Sequence, residues 1–251
     1  MHSVEKLVII PTYNEKENIE NIINYVFNMH AGYHILVIDD GSPDGTAQIV
    51  QGLINNIYTD ELFMLQRSGK LGLGTAYITG FKWALEKGYQ YIFEMDADFS
   101  HNPDDLERLY KACKEDGADM AIGSRYVKGG SIENWPLERK IYSRGGAIYT
   151  KMITWSPIND QTAGFICYSR KVLDTIDLDA ITYVGYAFQV EMKFAAWKLG
   201  FKIAEVPITF VDRRAGTSKM SKGIIKEGII GVLKLQYQSM FGNYRKKIRR
   251  K

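Results

Sequence analysis

The sequence predicts an α/β fold: a mostly parallel sheet with helices on both faces. Two observations carry that expectation. Short apolar runs rich in β-branched residues alternate with amphipathic stretches through the first half of the chain, which is the pattern of parallel strands with covering helices. Acidic residues then recur just beyond the ends of those runs, at Glu15, Asp39, Asp40, Asp96 and Asp98. In open sheets of this kind chemistry gathers where loops leave the carboxyl ends of the strands.

Residues 6–11 read as the first strand. Ile19, Ile22, Ile23, Val26 and Phe27 then recur at helical spacing, which predicts a helix over 15–30. Residues 34–39 form a second strand, and Ala47, Val50, Leu53 and Ile54 mark the helix after it. A weaker third strand spans 62–65, a helix 75–87, and a fourth strand 91–95 ends on Asp96. Pro103 favours entry to a helix over 104–115, and a strand follows at 119–123. The second half is less regular, with a helix over 137–155, a strand at 164–168, a helix over 188–199, a strand at 203–211 and a closing amphipathic helix over 222–241. No internal repeat or low-complexity linker interrupts the chain, and 251 residues lie at the upper edge of one core, so residues 1–241 read as one domain.

The composition is that of a globular protein, 45% hydrophobic and 24% charged. The net charge of +3 hides an asymmetry: residues 242–251 form a basic tail with Arg245, Lys246, Lys247, Arg249, Arg250 and Lys251 and no acid. Such a tail either seeks an anionic partner, membrane headgroups or nucleic acid, or is a solvated, frayed end. Cys113 and Cys167 have no metal-ligand spacing and fit a reduced, cytoplasmic setting. No apolar run reaches the ~18–20 residues of a spanning helix, so a membrane role implies a protein lying on the surface rather than crossing it, and no secretion signal is read at the start.

The acids form three clusters, Pro11-Thr12-Tyr13-Asn14-Glu15, Asp39 to Asp44, and Asp96-Ala97-Asp98. Carboxylates brought together oppose one another unless a cation or an array of donors compensates. A divalent ion suits the Asp-x-Asp pair, because Mg2+ or Mn2+ takes one or two carboxylates and completes its shell with diphosphate oxygens and water. Two nucleotide-binding alternatives fail. Gly72-Leu73-Gly74 lacks the third glycine of a dinucleotide fingerprint, and no phosphate-binding loop of the Gly-x4-Gly-Lys-Ser/Thr type is present.

Ordered motifs extend along almost the whole chain: Pro11-Thr12-Tyr13-Asn14-Glu15, residues 39–46 (Asp-Asp-Gly-Ser-Pro-Asp-Gly-Thr), Gly72-Leu73-Gly74-Thr75-Ala76, residues 96–101 (Asp-Ala-Asp-Phe-Ser-His), Gly123-Ser124-Arg125-Tyr126, Trp135 with Arg139, Gly185-Tyr186 before Phe188-Gln189-Val190-Glu191, and Arg213 with Ser218-Lys219. Together they resemble the inverting family 2 glycosyltransferases of the GT-A fold, and among them the enzymes that mannosylate dolichyl or polyprenyl phosphate. The resemblance implies a GDP-mannose donor, a polyprenyl or dolichyl phosphate acceptor, and Mg2+ or Mn2+ as cofactor. It assigns Pro11, Tyr13, Glu15, Ile38 and Asp40 to the guanosine, and Asp96, Ala97 and Asp98 to the diphosphate and metal. Ser100 stands where some relatives carry a Gln ligand. Ser124, Arg125 and Arg139 fall to the acceptor phosphate, and Arg213 and Lys219 to the donor diphosphate. Asp98, Arg125 and Arg139 are the catalytic candidates. Residues 1–125 become the nucleotide-sugar half and 126–241 the acceptor half.

A phosphate acceptor is largely dianionic at neutral pH and needs no strong base, so Glu191, where other family members carry one, is expected to bind or support. His101 is expected to act by packing or hydrogen bonding rather than as a metal ligand. The helices over 137–155 and 222–241 have apolar faces beside Lys140, Arg144, Lys151, Lys222, Lys226 and Lys234. They suit either the headgroup plane of a cytosolic membrane face or the cover of the sheet. A separate membrane protein is a further possible anchor, and nucleic acid is not an expected partner. Two alternatives stay open: a UDP-glucose or UDP-N-acetylglucosamine donor on the same fold, and a non-catalytic nucleotide-binding subunit.

Overall fold

The computed structural model describes residues 5–185, 187–212 and 222–249, and of residues 222–228 the backbone only. The first half alternates as the sequence predicts: β1 (Lys6–Thr12), α1 (Ile19–Asn28), β2 (Tyr33–Asp39), α2 (Thr46–Asn56), β3 (Leu62–Gln66), α3 (Leu73–Lys87), β4 (Tyr91–Glu94), α4 (Asp105–Lys114) and β5 (Met120–Ser124). The second half runs β6 (Ser131–Glu133), α5 (Leu137–Thr154), β7 (Ile166–Ser169), α6 (Arg170–Thr175), α7 (Ala187–Lys198), β8 (Ile203–Pro207), β9 (Thr209–Val211), α8 (Lys222–Phe241) and α9 (Tyr244–Ile248).

Seven strands make the main sheet in the order β3-β2-β1-β4-β7-β5-β8. All of its pairings are parallel except those of β7, which runs against both β4 and β5. Because β7 is reversed, its amino end lies at the edge where its neighbours have their carboxyl ends. The loop entering β7 therefore joins the loops leaving β1, β2 and β4 on one side of the sheet. The mostly parallel sheet has apolar side chains on both faces, as burial between two helical layers requires. One face packs Ile9, Leu36 and Ile122 with α3 and α7, and the other packs Val8, Ile10, Val37 and Ala121 with α1, α2 and α4.

Three differences from the sequence pattern have physical causes. The predicted strand over 203–211 divides at Ile208, so β8 completes the main sheet while β9 pairs with β6 in a separate ribbon. Helix α1 starts at Ile19 because Glu15–Asn18 form a turn, in which the backbone N–H groups of Asn18 and Ile19 both donate to the carbonyl of Glu15 at 2.9 Å. The basic tail is not simply frayed. Tyr244 and Ile248 are 3% and 0% exposed, so α9 docks on the core, and Arg249 bridges to Ile176.

Candidate active site

Strands β2 and β4 flank β1 and run parallel to it, so the three acidic clusters emerge side by side. Asp39 is buried. Its carboxylate accepts from Thr12 Oγ1 at 2.9 Å, Ser42 N at 3.0 Å and Ser42 Oγ at 2.6 Å. Ser42 Oγ in turn accepts from Asn14 N at 3.0 Å. Asp44 accepts from Lys16 N at 3.1 Å and from Thr46 N and Oγ1 at 3.0 and 2.6 Å, and Thr46 Oγ1 accepts from Glu15 N at 3.0 Å. Although burial opposes it, this array of donors holds Asp44 below the usual carboxylate range. Asp39 and Asp44 thus stitch the first two loops together.

Asp40, a predicted nucleoside contact, is buried and paired with Arg67, whose Nε lies 2.6 Å from Oδ1; Leu71 N donates to Oδ2 at 3.2 Å. Arg67 also donates to Thr75 Oγ1 at 2.7 Å and to the carbonyl of Gly72 at 3.3 Å. One arginine therefore joins the ends of β2 and β3 to the start of α3. Arg67 directly follows β3, and the sequence pattern does not single it out as the partner of Asp40. Gly74 explains the glycines there: a Cβ would meet Tyr183 O at 2.7 Å and the Phe188 side chain at 2.8 Å.

Tyr13 is half-buried, with the Lys70 ammonium 5.0 Å from its ring centroid. Glu15 accepts from Asn18 Nδ2 at 3.0 Å. Pro11 lies in β1 opposite Ile38 of β2. The Ile38 side chain is wholly buried in the core, so it supports the floor of this edge rather than lining its surface.

At the end of β4, Asp96 is half-buried, Ala97 and Asp98 are buried, and Phe99 turns the chain with a φ of 58°. Positive φ is uncommon outside glycine and marks a backbone held by its surroundings. The turn lets Ser100 N donate to Asp98 Oδ1 at 3.0 Å, while Ser100 O accepts from Val211 N at 3.2 Å and so reaches β9. Within reach of their charges is Tyr77, fully buried, with a hydroxyl that has no hydrogen-bond partner among the described residues. Burial, and then the charges of Asp96, Glu94 and Asp98, push its pKa well up. Among the described residues no group of three or more His, Cys, Asp or Glu is assembled to hold a metal. Two aspartates of one turn are nonetheless hard oxygen donors, and the Ser100 N–H fixes the orientation of one of them. They fit a divalent cation that draws the rest of its shell from a ligand and water.

His101 packs rather than reaching out. Its ring stacks on Phe165 at 4.9 Å, and burial lowers its pKa to about 4 against the opposing pull of Asp98. Across the same edge, Ser124 is buried and donates to Glu205 Oε1 at 2.8 Å. Arg125 donates to Asp160 through its backbone N at 3.0 Å, Nε at 2.7 Å and Nη2 at 2.7 Å, with a further bond from Nη2 to Thr162 Oγ1 at 2.9 Å. Burial favours neutral Asp160, but the charge and bonds of Arg125 outweigh it and keep the pKa low. Arg139 lies over the Trp135 ring at 3.9 Å and pairs with Asp212 at 3.0 Å. Guanidinium 125 lies 5.9 Å from the same Trp135 ring, so the structure brings the two arginines together. Arg213 and Lys219, like Tyr186 and Ser218, fall outside the described residues.

Glu191 is buried and accepts from Thr182 N at 2.8 Å, Tyr183 N at 3.0 Å and Thr182 Oγ1 at 3.0 Å. It secures the segment whose Val184 carbonyl receives Gly74 N at 2.8 Å.

The model of glycosyl transferase family 2 matches residues 7–177. A curated polyprenol monophosphomannose synthase of Mycolicibacterium smegmatis is 46% identical over 90% of this chain and 84% of its own length. An undecaprenyl-phosphate mannosyltransferase of Micrococcus luteus is 45% identical over 90% of this chain and 91% of its own. Among solved structures, a mannosyltransferase from Pyrobaculum calidifontis in complex with GDP-Man and Mn2+ superposes with a TM-score of 0.57 over 96% of this chain and 71% of its own, at 16% identity, which is a likeness of fold. The chain belongs to glycosyl transferase family 2 and is a glycosyltransferase.

Proposed function

We propose that this family 2 glycosyltransferase moves mannose from GDP-mannose to a polyprenyl or dolichyl phosphate with inversion at the anomeric carbon. The observation that carries the reading is the convergence of the β1, β2 and β4 loops on the edge that also holds Arg125 and Arg139. The names of the two relatives at 45 and 46% identity support both the sugar and the class of acceptor.

In this reading the first two loops, with Tyr13, Glu15 and Asp40, hold the nucleoside, and Pro11 and Ile38 form the floor. Asp96 and Asp98 would hold Mg2+ or Mn2+ with Ser100 alongside, and when bound that ion would neutralise charge on the departing diphosphate. Ala97 and the turn at Phe99 set the spacing of the two aspartates. The family resemblance assigns Arg213 and Lys219 to the diphosphate, a role their charge suits. Ser124, Arg125 and Arg139 orient the acceptor. One of its phosphate oxygens forms the new bond to the sugar carbon as the bond to GDP breaks on the opposite face, giving a β-linked product from an α-linked donor. The acceptor is already ionised, so the arginines position it and no protein base is required.

The reading extends to a membrane surface. Helix α5 buries only Ala147, Thr150 and Thr154 among its side chains, and leaves Leu137, Ile141, Ile148 and Met152 exposed, with Trp155 just after it. On α8, Val232 and Leu235 enter the core while Ile229, Leu233, Tyr237 and Phe241 remain exposed. The two helices touch, with Tyr149 OH donating to Ile229 O at 3.1 Å. Among the described residues no helix is long and apolar enough to cross a membrane. An apolar band edged by Lys140 and Arg144 suits an anionic leaflet, with or without a separate anchoring protein.

The test is incubation of the purified chain with GDP-mannose, Mn2+ or Mg2+ and polyprenyl phosphate. A mannosyl phosphate lipid of β configuration is expected. Transfer only from UDP-glucose or UDP-N-acetylglucosamine, or a product of retained configuration, would overturn the reading.

A further inference from the structure

The loop entering β7 is held from two sides by charged side chains, half-buried Glu205 and buried Lys193. Glu205, on β8, takes four hydrogen bonds on its carboxylate. Oε1 accepts from Ser124 Oγ at 2.8 Å and Asp160 N at 2.9 Å, and Oε2 accepts from Asn159 N at 2.9 Å and Asn159 Nδ2 at 2.8 Å. From the opposite side the buried ammonium of Lys193, on α7, donates to the carbonyls of Gln161 at 3.1 Å, Ala163 at 2.5 Å and Gln189 at 3.3 Å. Between these clamps lies Asp160, wholly buried, whose carboxylate grips Arg125.

We infer that Glu205 is a positioning residue for the reaction, fixing Arg125 through Asp160 and aligning Ser124 directly. The inference rests on the reading of Arg125 as an acceptor-phosphate contact. Four charge-assisted bonds fill the acceptor sites of a carboxylate, so neither the Asn159–Asp160 backbone nor the Ser124 hydroxyl retains rotational freedom there. Asp160 then meets Arg125 through two parallel bonds, a geometry that transmits its own placement to the guanidinium plane. Glu205 touches neither donor nor acceptor in this arrangement. Its effect falls on one side of the reaction: the loops from β1, β2 and β4 make none of these bonds.

Glu205→Gln replaces one oxygen with an NH2 group that faces N–H donors, so at least one of the Glu205 bonds is lost with little change in volume. The experiment measures KM for polyprenyl phosphate and for GDP-mannose separately, with the melting temperature of each variant, for Glu205→Gln, Asn159→Ala and Arg125→Lys. Glu205→Gln is expected to raise the acceptor KM about tenfold or more and the donor KM less than about twofold, since misplacing a positioning group by about 1 Å costs up to ~100-fold. Asn159→Ala, which removes one bond only, is expected to give a smaller shift of the same selectivity. If Glu205→Gln does not fold, Asn159→Ala decides. Equal changes in both KM values, or a lower melting temperature with neither KM altered, would overturn the inference while leaving the site reading intact. An unchanged acceptor KM in Arg125→Lys would instead overturn the assignment of Arg125, and the inference with it.

Discussion

Glu191 shows how one side chain can be read in two ways. The resemblance drawn from the sequence implies that it occupies a helix where other family members carry a base. In the fold its carboxylate, on α7, is occupied by two backbone N–H groups and the Thr182 hydroxyl. Glu191→Gln should therefore lower the melting temperature, because a buried donor loses its acceptor at a cost of about 1–3 kcal/mol. The same variant should keep kcat within about tenfold, whereas loss of a general base costs ~100–10,000-fold. A steady-state assay beside a thermal melt separates the two roles, and a large fall in kcat without a change in melting would restore the base. Asp40 carries the opposite lesson: its place at a strand end was legible, but the arginine that occupies it comes from the loop after β3, and no spacing rule pairs residues 27 positions apart.

At the scale of elements, the alternating first half was readable because each parallel strand is buried on both faces and so stays apolar along its length. The second half was harder for a reason visible in β7 and β9. A reversed strand in a parallel sheet has the same buried pattern as its neighbours, so nothing in residues 164–168 announces that the loop before them, with Asp160 and Thr162, reaches the functional edge. The three-residue strands β6 and β9 are too short to show a period. Lys193 was hidden because a lysine within an apolar helix pattern reads as solvent-facing until the fold surrounds it with carbonyls.

Burial lowers the pKa of Lys193 from 10.5 to about 8. A lysine that binds its proton more weakly when folded makes stability rise with pH between those values, because the unfolded chain holds the proton there and the folded chain releases it. Compared with Lys193→Met, the wild type should gain stability as pH rises from about 8 to 10.5. Urea unfolding of both across that range checks the sign, and a flat difference would contradict the buried, depressed lysine.

For the whole molecule, the proposed function puts the donor at the acidic edge and the lipid of the acceptor at the exposed α5–α8 band, and among the described residues no helix is long and apolar enough to cross a membrane. Exposure of Trp155 at 66% and Ile148 at 51% decides against the reading of α5 as sheet cover alone. Trp155→Glu with Ile148→Glu should weaken binding to vesicles of anionic phospholipid, measured by flotation, while leaving GDP binding unchanged. Undiminished flotation would assign the band to another partner. Binding that disappears in high salt, rather than on loss of the apolar residues, would give the basic residues the leading role.

The pair Asp96 and Asp98, proposed to hold a divalent cation at the end of β4, is the centre of the account, and calorimetric titration of GDP into the purified chain tests it most directly. With Mn2+ present the wild type should bind GDP at least about tenfold more tightly than in EDTA, about 1.4 kcal/mol, and Asp98→Asn should lose that difference while keeping its melting temperature. Equal GDP affinity with and without the ion in the wild type, or a full metal effect in Asp98→Asn, would contradict it.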